Sequence, residues 1–219
     1  MITVVSAPAD PSLPDSSEGK RILALLPPAT RTRLAGLKYA EDLSRSLTAY
    51  SLLYHHLADF YDVSLESIVV EDGLHGKPEL KVPGGVCFNC AHAEQWCVCA
   101  ISAYPVGVDI ERYTPVVDAS LYVCLHSREF GYIQKIPEDR QNREFLNLWT
   151  MKEAYLKALG CGLLREPSTF AVICSDQGEV YIEDPFKPPG IYPRLFRRKD
   201  VPGFSLAACI LVPYSERSA

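Results

Sequence analysis

The sequence has no hydrophobic run long enough to cross a bilayer, and it has no excess of basic residues. Its 27 acidic side chains outnumber its 22 lysines and arginines, which gives a formal net charge of −5. Nucleic-acid-binding domains usually carry a basic surface, so neither a membrane nor a nucleic acid is expected as a partner. The chain has 219 residues, of which 47% are hydrophobic, and this is enough for a sizeable globular core.

A secretory signal is also missing, because residues 1–13 have neither a basic start nor a sustained apolar segment. A cytoplasmic location with reduced thiols is therefore expected for the eight cysteines. Cys87 and Cys90, followed by Cys97 and Cys99, raise the alternative of a zinc-stabilised interaction module, although the second pair has the wrong spacing. The other interpretation is that Cys97 and Cys99 are small apolar side chains of a strand in residues 96–102.

The order of predicted elements is similar in two halves of the chain, residues 1–104 and 105–219, with a seam at Tyr104-Pro105. In each half a long helical region precedes strands that form hairpins. The predicted fold is α+β, with two similar halves in a pseudo-twofold arrangement. Each half is expected to be a long helix packed on a small, mostly antiparallel sheet, with the active site in the cleft between them.

Several local expectations follow from the same patterns. A helical region over residues 30–61 is expected to break near Gly36, and the strongest helix is predicted over residues 144–159, after a polar break at 137–142. Residues 73–78 and 176–178 are predicted turns. One basic run is interpreted as a solvated loop rather than as a docking patch: Arg194, Arg197, Arg198 and Lys199.

Acidic side chains and one lysine form the most informative pattern. Asp109 and Glu111 alternate along a predicted strand and therefore share one face. Glu153 and Lys157 are four residues apart on the 144–159 helix, so they project from the same side. A solvated strand edge would also explain two acids, but Glu153 on a partly buried helix favours a metal. Carboxylates suit Mg²⁺, and lysine supplies a compact positive charge for a phosphate.

Other polar residues have more than one interpretation. Lys152 falls near the centre of the apolar arc of the same helix, so it needs an anionic partner or a path to solvent. The basic residues of the 30–61 region, among them Arg33 and Arg45, form either a solvated helix face or a phosphate site. His92 at a strand end is either a phosphate ligand or an ordinary hydrogen-bonded residue.

Two motifs together resemble a known family. The segments Gly107-Val-Asp-Ile-Glu111 and Trp149-x-x-Lys-Glu-Ala-x-x-Lys157 are similar to the signature motifs of the 4′-phosphopantetheinyl transferases of the surfactin-synthetase-activating type. Gly76-Lys-Pro78 and Ser127-x-Glu-Phe130 also fall in the family's order. The resemblance implies transfer of the 4′-phosphopantetheine arm of coenzyme A to a serine of an apo acyl or peptidyl carrier protein, with release of adenosine 3′,5′-bisphosphate.

The resemblance also implies roles for the acid and lysine residues. Asp109, Glu111 and Glu153 would hold Mg²⁺, with Mn²⁺ as an alternative. Glu153, or a water on the metal, would take the serine proton, and Lys157 would stabilise the leaving phosphate. The catalytic residues would thus be Glu153 and Lys157, both in the C-terminal half at residues 105–219.

Coenzyme A itself would bind chiefly to the N-terminal half, residues 1–104. The coenzyme A-binding residues implied by the resemblance are Arg33, Arg45, Lys77, Pro78, His92, Lys152 and Lys157. His92 would contact the pyrophosphate, Lys77 and Pro78 the adenine, and Arg33 with Arg45 the 3′-phosphate. The enzyme is expected to be a monomer with coenzyme A and a carrier protein as its partners.

One departure from the family pattern motivates an alternative function. The family often has serine on both sides of the strand-end histidine, whereas this chain has Ala91 and Ala93. A hydroxyl donor to phosphate is therefore missing. The alternative is a coenzyme A-binding protein with weak or lost transfer activity.

Overall fold

A computed structural model describes residues 2–72, 78–81, 85–175 and 180–217. The chain divides into two compact units, an N-terminal unit (Met1–Ala103) and a C-terminal unit (Tyr104–Ala219). In the described ranges, no helix has the combined length and apolar character that spanning a bilayer would require. Each unit has its own hydrophobic core.

The described residues of the N-terminal unit form three α-helices and five strands. The helices are α1 (Ser17–Leu25), α2 (Pro28–Ala35) and α3 (Ala40–Tyr61). The strands are β1 (Ile2–Pro8), β2 (Val69–Asp72), β3 (Pro78–Lys81), β4 (Cys87–Ala93) and β5 (Trp96–Ser102). The helical break expected near Gly36 is confirmed, since Gly36 caps α2 and a new helix starts at Ala40.

The sheet of the N-terminal unit has the order β1-β5-β4, and both pairings are antiparallel. A separate antiparallel hairpin joins β2 to β3. Helix α3 buries Leu53 and Leu57 in the same core as Phe88 and Ile101 of the sheet. Strand β1 pairs with β5 over its whole length, from Ile2 to Pro8.

Two α-helices and five strands form the described part of the C-terminal unit. The helices are α4 (Ser127–Ile133) and α5 (Glu138–Leu159). The strands are β6 (Val106–Arg112), β7 (Ala171–Cys174), β8 (Val180–Glu183), β9 (Ile191–Arg198) and β10 (Phe204–Pro213). A 3₁₀ helix, Ala119–Cys124, precedes α4.

The main sheet of this unit has the order β6-β10-β9, again antiparallel throughout, and β7 pairs with β8 in a separate hairpin. Helix α5 buries Phe145 and Leu156 in one core with Ala207 and Leu211 of β10. Both units therefore follow the order strand, helices, hairpin, hairpin, and both place their last strand at the centre of the sheet. The prediction of an α+β fold with two similar halves is confirmed.

Two local predictions in the C-terminal unit are wrong. Helix α5 begins at Glu138 rather than at residue 144, because Glu138 and Asp139 occupy its first turn, where acidic side chains favour the positive end of the helix dipole. The basic run predicted as a loop lies mostly on strand β9, at the edge of the sheet. The segment contains Pro193 and three arginines, so its sequence did not indicate a strand. Such residues are tolerated on a strand at the edge of a sheet.

Two predicted turns are not covered by this description. Residues 73–77 and 176–179 lie outside the described residues, and they include Lys77 of the implied adenine contact.

Candidate active site

The site begins with a glycine that lets β6 approach α5. A Cβ atom on Gly107 would lie 2.1 Å from the Ala154 carbonyl oxygen and 2.4 Å from the Ala158 nitrogen. Any side chain at this position would therefore push the strand away from the helix. The close approach brings the acidic residues that follow Gly107 next to the last turns of α5.

Asp109 meets Lys157 across this contact. The Lys157 Nζ lies 2.6 Å from Asp109 Oδ1, and Asp109 is 6% exposed. Burial raises the pKa of the Asp109 carboxyl, although the charge and hydrogen bond of Lys157 act in the opposite direction. One oxygen of Asp109 is thus paired with an ammonium, while Oδ2 is buried without a hydrogen-bond partner.

Glu111 and Glu153 complete the acidic group. The indole Nε1 of Trp149 donates to Glu111 Oε1 at 3.3 Å. Burial, followed by the charge of Asp109, raises the pKa of both Glu111 and Glu153. Glu153 is half-buried, and its Oε1 accepts no hydrogen bond. Three carboxyl groups therefore share a desolvated region in which their negative charges repel one another.

A divalent cation fits this donor set. Asp109 Oδ2 and Glu153 Oε1 are the two buried side-chain polar atoms without a partner in the described part of the chain. An unsatisfied buried acceptor costs about 1–3 kcal/mol, more when it is charged. Carboxylate oxygens are the preferred ligands of Mg²⁺. In the described ranges, no three His, Cys, Asp or Glu side chains already stand close enough to hold a metal together. Lys157 neutralises Asp109 in this arrangement.

Lys152 precedes Glu153 on α5, about 100° around the helix axis, and is fully buried. Its Nζ donates to both carboxylate oxygens of Glu129, at 2.8 and 2.7 Å, and to the carbonyl oxygen of Phe170 at 2.7 Å. Glu129 Oε1 also accepts from the backbone N–H of Val172 at 2.6 Å. Desolvation lowers the pKa of Lys152, and the charge of Glu129 opposes this effect. The pair joins α4, α5 and β7.

The position of Lys152 differs from the coenzyme A-binding role that the resemblance implied. All three of its N–H donors are used inside the protein, so none remains for a ligand. Its place at the centre of the apolar arc predicted either an anionic partner or a path to solvent, and the structure shows the partner. Glu129 was not assigned a role from the sequence. The signal for it was its position three residues after His126, where it closes a capping box at the start of α4.

The N-terminal unit has a pocket that contains two of the predicted phosphate ligands. It has a volume of about 190 Å³ and is lined by Arg33 of α2, by His92 of β4 and by Tyr50 of α3. His92 is exposed. Burial raises the pKa of Tyr50, and hydrogen bonds to Thr30 and Arg33 act against that shift. An arginine and a histidine thus line one small depression in this unit.

Arg45 lines a different pocket of the same unit. Its guanidinium forms an ion pair with Asp42, and its Nη1 donates to the Glu94 carbonyl oxygen at 3.3 Å. The structure therefore does not place Arg45 with Arg33, the other predicted ligand of the 3′-phosphate. Pro78 begins strand β3.

Two observations bear on the alternative functions. Ala91 is buried whereas His92 is exposed, so the side chain at position 91 points away from the exposed side of β4. A serine there would not stand beside His92, which weakens the reason to expect lost activity. Burial raises the pKa of the Cys97 thiol to about 12. A hydrogen bond to Cys90, followed by burial, raises the pKa of the Cys99 thiol. Both residues are buried on β5, as expected for small apolar side chains of a strand.

The chemistry of the carboxylate–lysine site suits a bound cation and a phosphate group. A model of the 4′-phosphopantetheinyl transferase superfamily matches residues 105–209, which contain that site. The 4′-phosphopantetheinyl transferase gsp of Aneurinibacillus migulanus is 32% identical over 173 residues, which are 78% of this chain and 70% of that protein. The chain belongs to the 4′-phosphopantetheinyl transferase superfamily, as its motifs predicted.

Two further similar proteins match different shares of the chain. The 4′-phosphopantetheinyl transferase Sfp of Bacillus subtilis is 26% identical over 196 residues, 90% of this chain and 87% of that protein. A holo-(acyl-carrier-protein) synthase from Bacillus anthracis, solved in complex with CoA (3′,5′-ADP), is 19% identical. The matched part is 49% of this chain and 95% of the synthase chain, with a TM-score of 0.43.

Proposed function

We propose that the chain transfers the 4′-phosphopantetheine arm of coenzyme A to a serine of an apo acyl or peptidyl carrier protein and releases adenosine 3′,5′-bisphosphate. Membership of the superfamily supports the reaction. The observation that carries the proposal is the pair of buried oxygens without partners, Asp109 Oδ2 and Glu153 Oε1, in the group of charges that includes Lys157. Burial of these carboxylates costs free energy unless a cation and a phosphate bind beside them.

Each residue has a distinct role in this proposal. Asp109, Glu111 and Glu153 hold Mg²⁺, or Mn²⁺ in its place, and the cation would neutralise charge on the pyrophosphate of coenzyme A. Glu153, or a water on the metal, would take the serine proton. Lys157, about a quarter exposed, donates to the phosphate that leaves with the nucleotide. Trp149 holds Glu111 in place through its indole N–H.

The pocket of the N-terminal unit supports a contribution to coenzyme A binding. We assign Arg33 and His92 to contacts with phosphate groups, because they line the same depression. Arg33→Ala should raise the KM for coenzyme A about tenfold, the effect of losing one charged hydrogen bond. Arg21→Ala is the matched control, since Arg21 is an exposed arginine of α1 that pairs with Glu66. Equal KM values for both variants would contradict the assignment.

Mass spectrometry of the acceptor tests the function. The protein is incubated with coenzyme A, Mg²⁺ and apo carrier proteins of fatty-acid, polyketide and nonribosomal-peptide synthesis. The expected result is a mass gain equal to the phosphopantetheine arm on at least one carrier, and no gain when the divalent cation is chelated. No gain on any carrier would refute the proposal. The eight free thiols support a cytoplasmic site for the reaction, where thiols stay reduced.

A further inference from the structure

A basic pocket lies at the start of helix α5 in the C-terminal unit. Its volume is about 450 Å³. The first turns of α5, the end of strand β9 and the turn into β10 form its walls. Its charged lining consists of Arg140, Arg143, Glu144, Arg197, Arg198 and Lys199. Five cations and one carboxylate thus line this pocket, in a chain whose formal net charge is −5.

Most of these cations have no carboxylate partner. Arg198 forms an ion pair with Asp200, with an Nη2–Oδ2 distance of 2.8 Å. Among the described residues, no acidic side chain pairs within 4.0 Å with the other four: Arg140, Arg143, Arg197 and Lys199. All four are exposed. The pocket therefore presents an uncompensated positive field to solvent.

The N-terminal unit has a pocket at the corresponding place, and its charge is opposite. That pocket is formed by the start of α3, the turn between β4 and β5, and the end of the first strand. Its charged lining consists of Asp15, Glu41, Arg45 and Glu94. Arg45 and Arg143 each lie five residues after the first residue of their helix. Arg45 is neutralised by Asp42, whereas Arg143 is not. The scaffold creates the depression, but it does not dictate a basic lining.

The basic pocket and the active site lie along the same strand, β6, and the same helix, α5. Arg143 lies over the ring of Tyr113, 4.1 Å from its centre, and the Tyr113 hydroxyl donates to Asn147 Oδ1 at 2.8 Å. Tyr113 follows Glu111 by two residues, about 7 Å along an extended chain. Asn147 precedes Glu153 by six residues, about 9 Å along a helix. The pocket is therefore next to the carboxylates, along the same strand and helix.

We propose that this pocket docks the acidic surface of the carrier protein, an inference that rests on the proposed transfer reaction. A stable interface covers about 800 Å² on each partner, which corresponds to a radius of about 16 Å. A carrier that presents its serine to Glu153 can therefore reach Arg143, about 15 Å away along α5. Four unpaired cations beside the reaction centre attract acidic side chains and orient the carrier before transfer.

Charge reversal tests the docking site with an acidic apo acyl carrier protein as the probe. The variant Arg140→Glu/Lys199→Glu changes two exposed residues that form no ion pair with other described residues, so folding should be preserved. Lys20→Glu/Lys187→Glu makes the same change in charge elsewhere and serves as the control. At low salt, the pocket variant should raise the KM for the carrier about tenfold, with little change in the KM for coenzyme A. Added salt should shrink the difference from the unchanged protein.

The outcomes separate the possible explanations. A carrier in which an acidic residue beside the acceptor serine is changed to lysine should restore the KM of the pocket variant, which a purely structural role would not allow. Equal carrier KM values in the pocket and control variants would refute the docking site while leaving the transfer reaction intact. A rise in the KM for coenzyme A instead would also refute it and would indicate a small-anion site. Failure of the unchanged protein to modify any carrier would refute the reaction itself, and the docking role with it.

Discussion

The two units share one plan, but they differ in the polar side chains that they bury. The buried polar residues of the N-terminal unit are hydroxyls, such as Ser44 and Thr48 of α3, which bond to the backbone of Asp10. The C-terminal unit buries charged side chains as well: Asp109, Glu129, Lys152 and Asp184. The described residues of the N-terminal unit include no buried charged side chain.

Equivalent positions show how the difference arises. Tyr54 and Lys152 each lie fourteen residues after the first residue of their helix, and both are fully buried. Tyr54 donates to the Leu25 carbonyl oxygen at 3.1 Å, where Lys152 binds a carboxylate. The strand that opens the C-terminal unit carries Gly107 and two acids, whereas β1 has no glycine and no acid. The residues that differ between the two units on this strand and this helix thus form the carboxylate–lysine site.

The largest effect on stability is expected at the buried ion pair. Lys152→Met should lower the free energy of unfolding by about 3–5 kcal/mol, because Glu129 would remain as an unpaired buried charge. Tyr54→Phe at the equivalent position should cost about 1 kcal/mol, since it removes one neutral hydrogen bond. Denaturant unfolding measures both values.

A double variant provides the control for this comparison. Lys152→Met/Glu129→Met removes both charges and should recover most of the loss. If Lys152→Met costs no more than Tyr54→Phe, the buried charge is not what distinguishes the two helices.

A smaller loss is expected from closing the gap at Gly107. Gly107→Ala should lower the free energy of unfolding by about 2–3 kcal/mol, because the new methyl group would overlap the backbone of α5. It should also reduce transfer, since it separates Asp109 from the helix. Gly131→Ala in α4 is the matched control: it meets nothing within 4 Å and should stabilise the helix by up to about 1 kcal/mol. A neutral Gly107→Ala variant would show that the close approach is not required.

The smallest effect concerns the thermal response to a cation. Saturating Mg²⁺ should raise the Tm by about 5 °C, because binding to the native carboxylates stabilises only the folded state. Asp109→Asn should abolish the shift. Asp59→Asn, on the exposed face of α3, should retain it. Differential scanning calorimetry decides the point, and a shift that survives in Asp109→Asn would place the cation elsewhere.

Local patterns predicted the parts of the molecule that depend on local chemistry. Period-two alternation placed Asp109 and Glu111 on one strand face, and helical spacing placed Glu153 and Lys157 together on α5. Residues that act through distant partners were not predictable in this way. Lys152 is 23 positions from Glu129, so its anionic partner depends on how α4 packs on α5.

The sequence pattern was misleading for the charged residues of strand β9. Strand β9 pairs with a central strand on one side, and this pairing rather than its own composition makes it a strand. Arg197 and Arg198 at its end were therefore interpreted as solvated loop residues. The basic pocket became visible only when β9 and the start of α5 were placed side by side.

The rate of arm transfer in Glu153→Gln, relative to the unchanged protein, tests the central claim most directly. Glu153 has a buried oxygen without a partner, whereas Glu138 in the first turn of the same helix is exposed, so Glu138→Gln is the control. Loss of a cation ligand and proton acceptor should slow transfer at least about 100-fold, with the folded state preserved by circular dichroism. Glu138→Gln should transfer normally. A Glu153→Gln variant that modifies the carrier at the rate of Glu138→Gln would contradict the account.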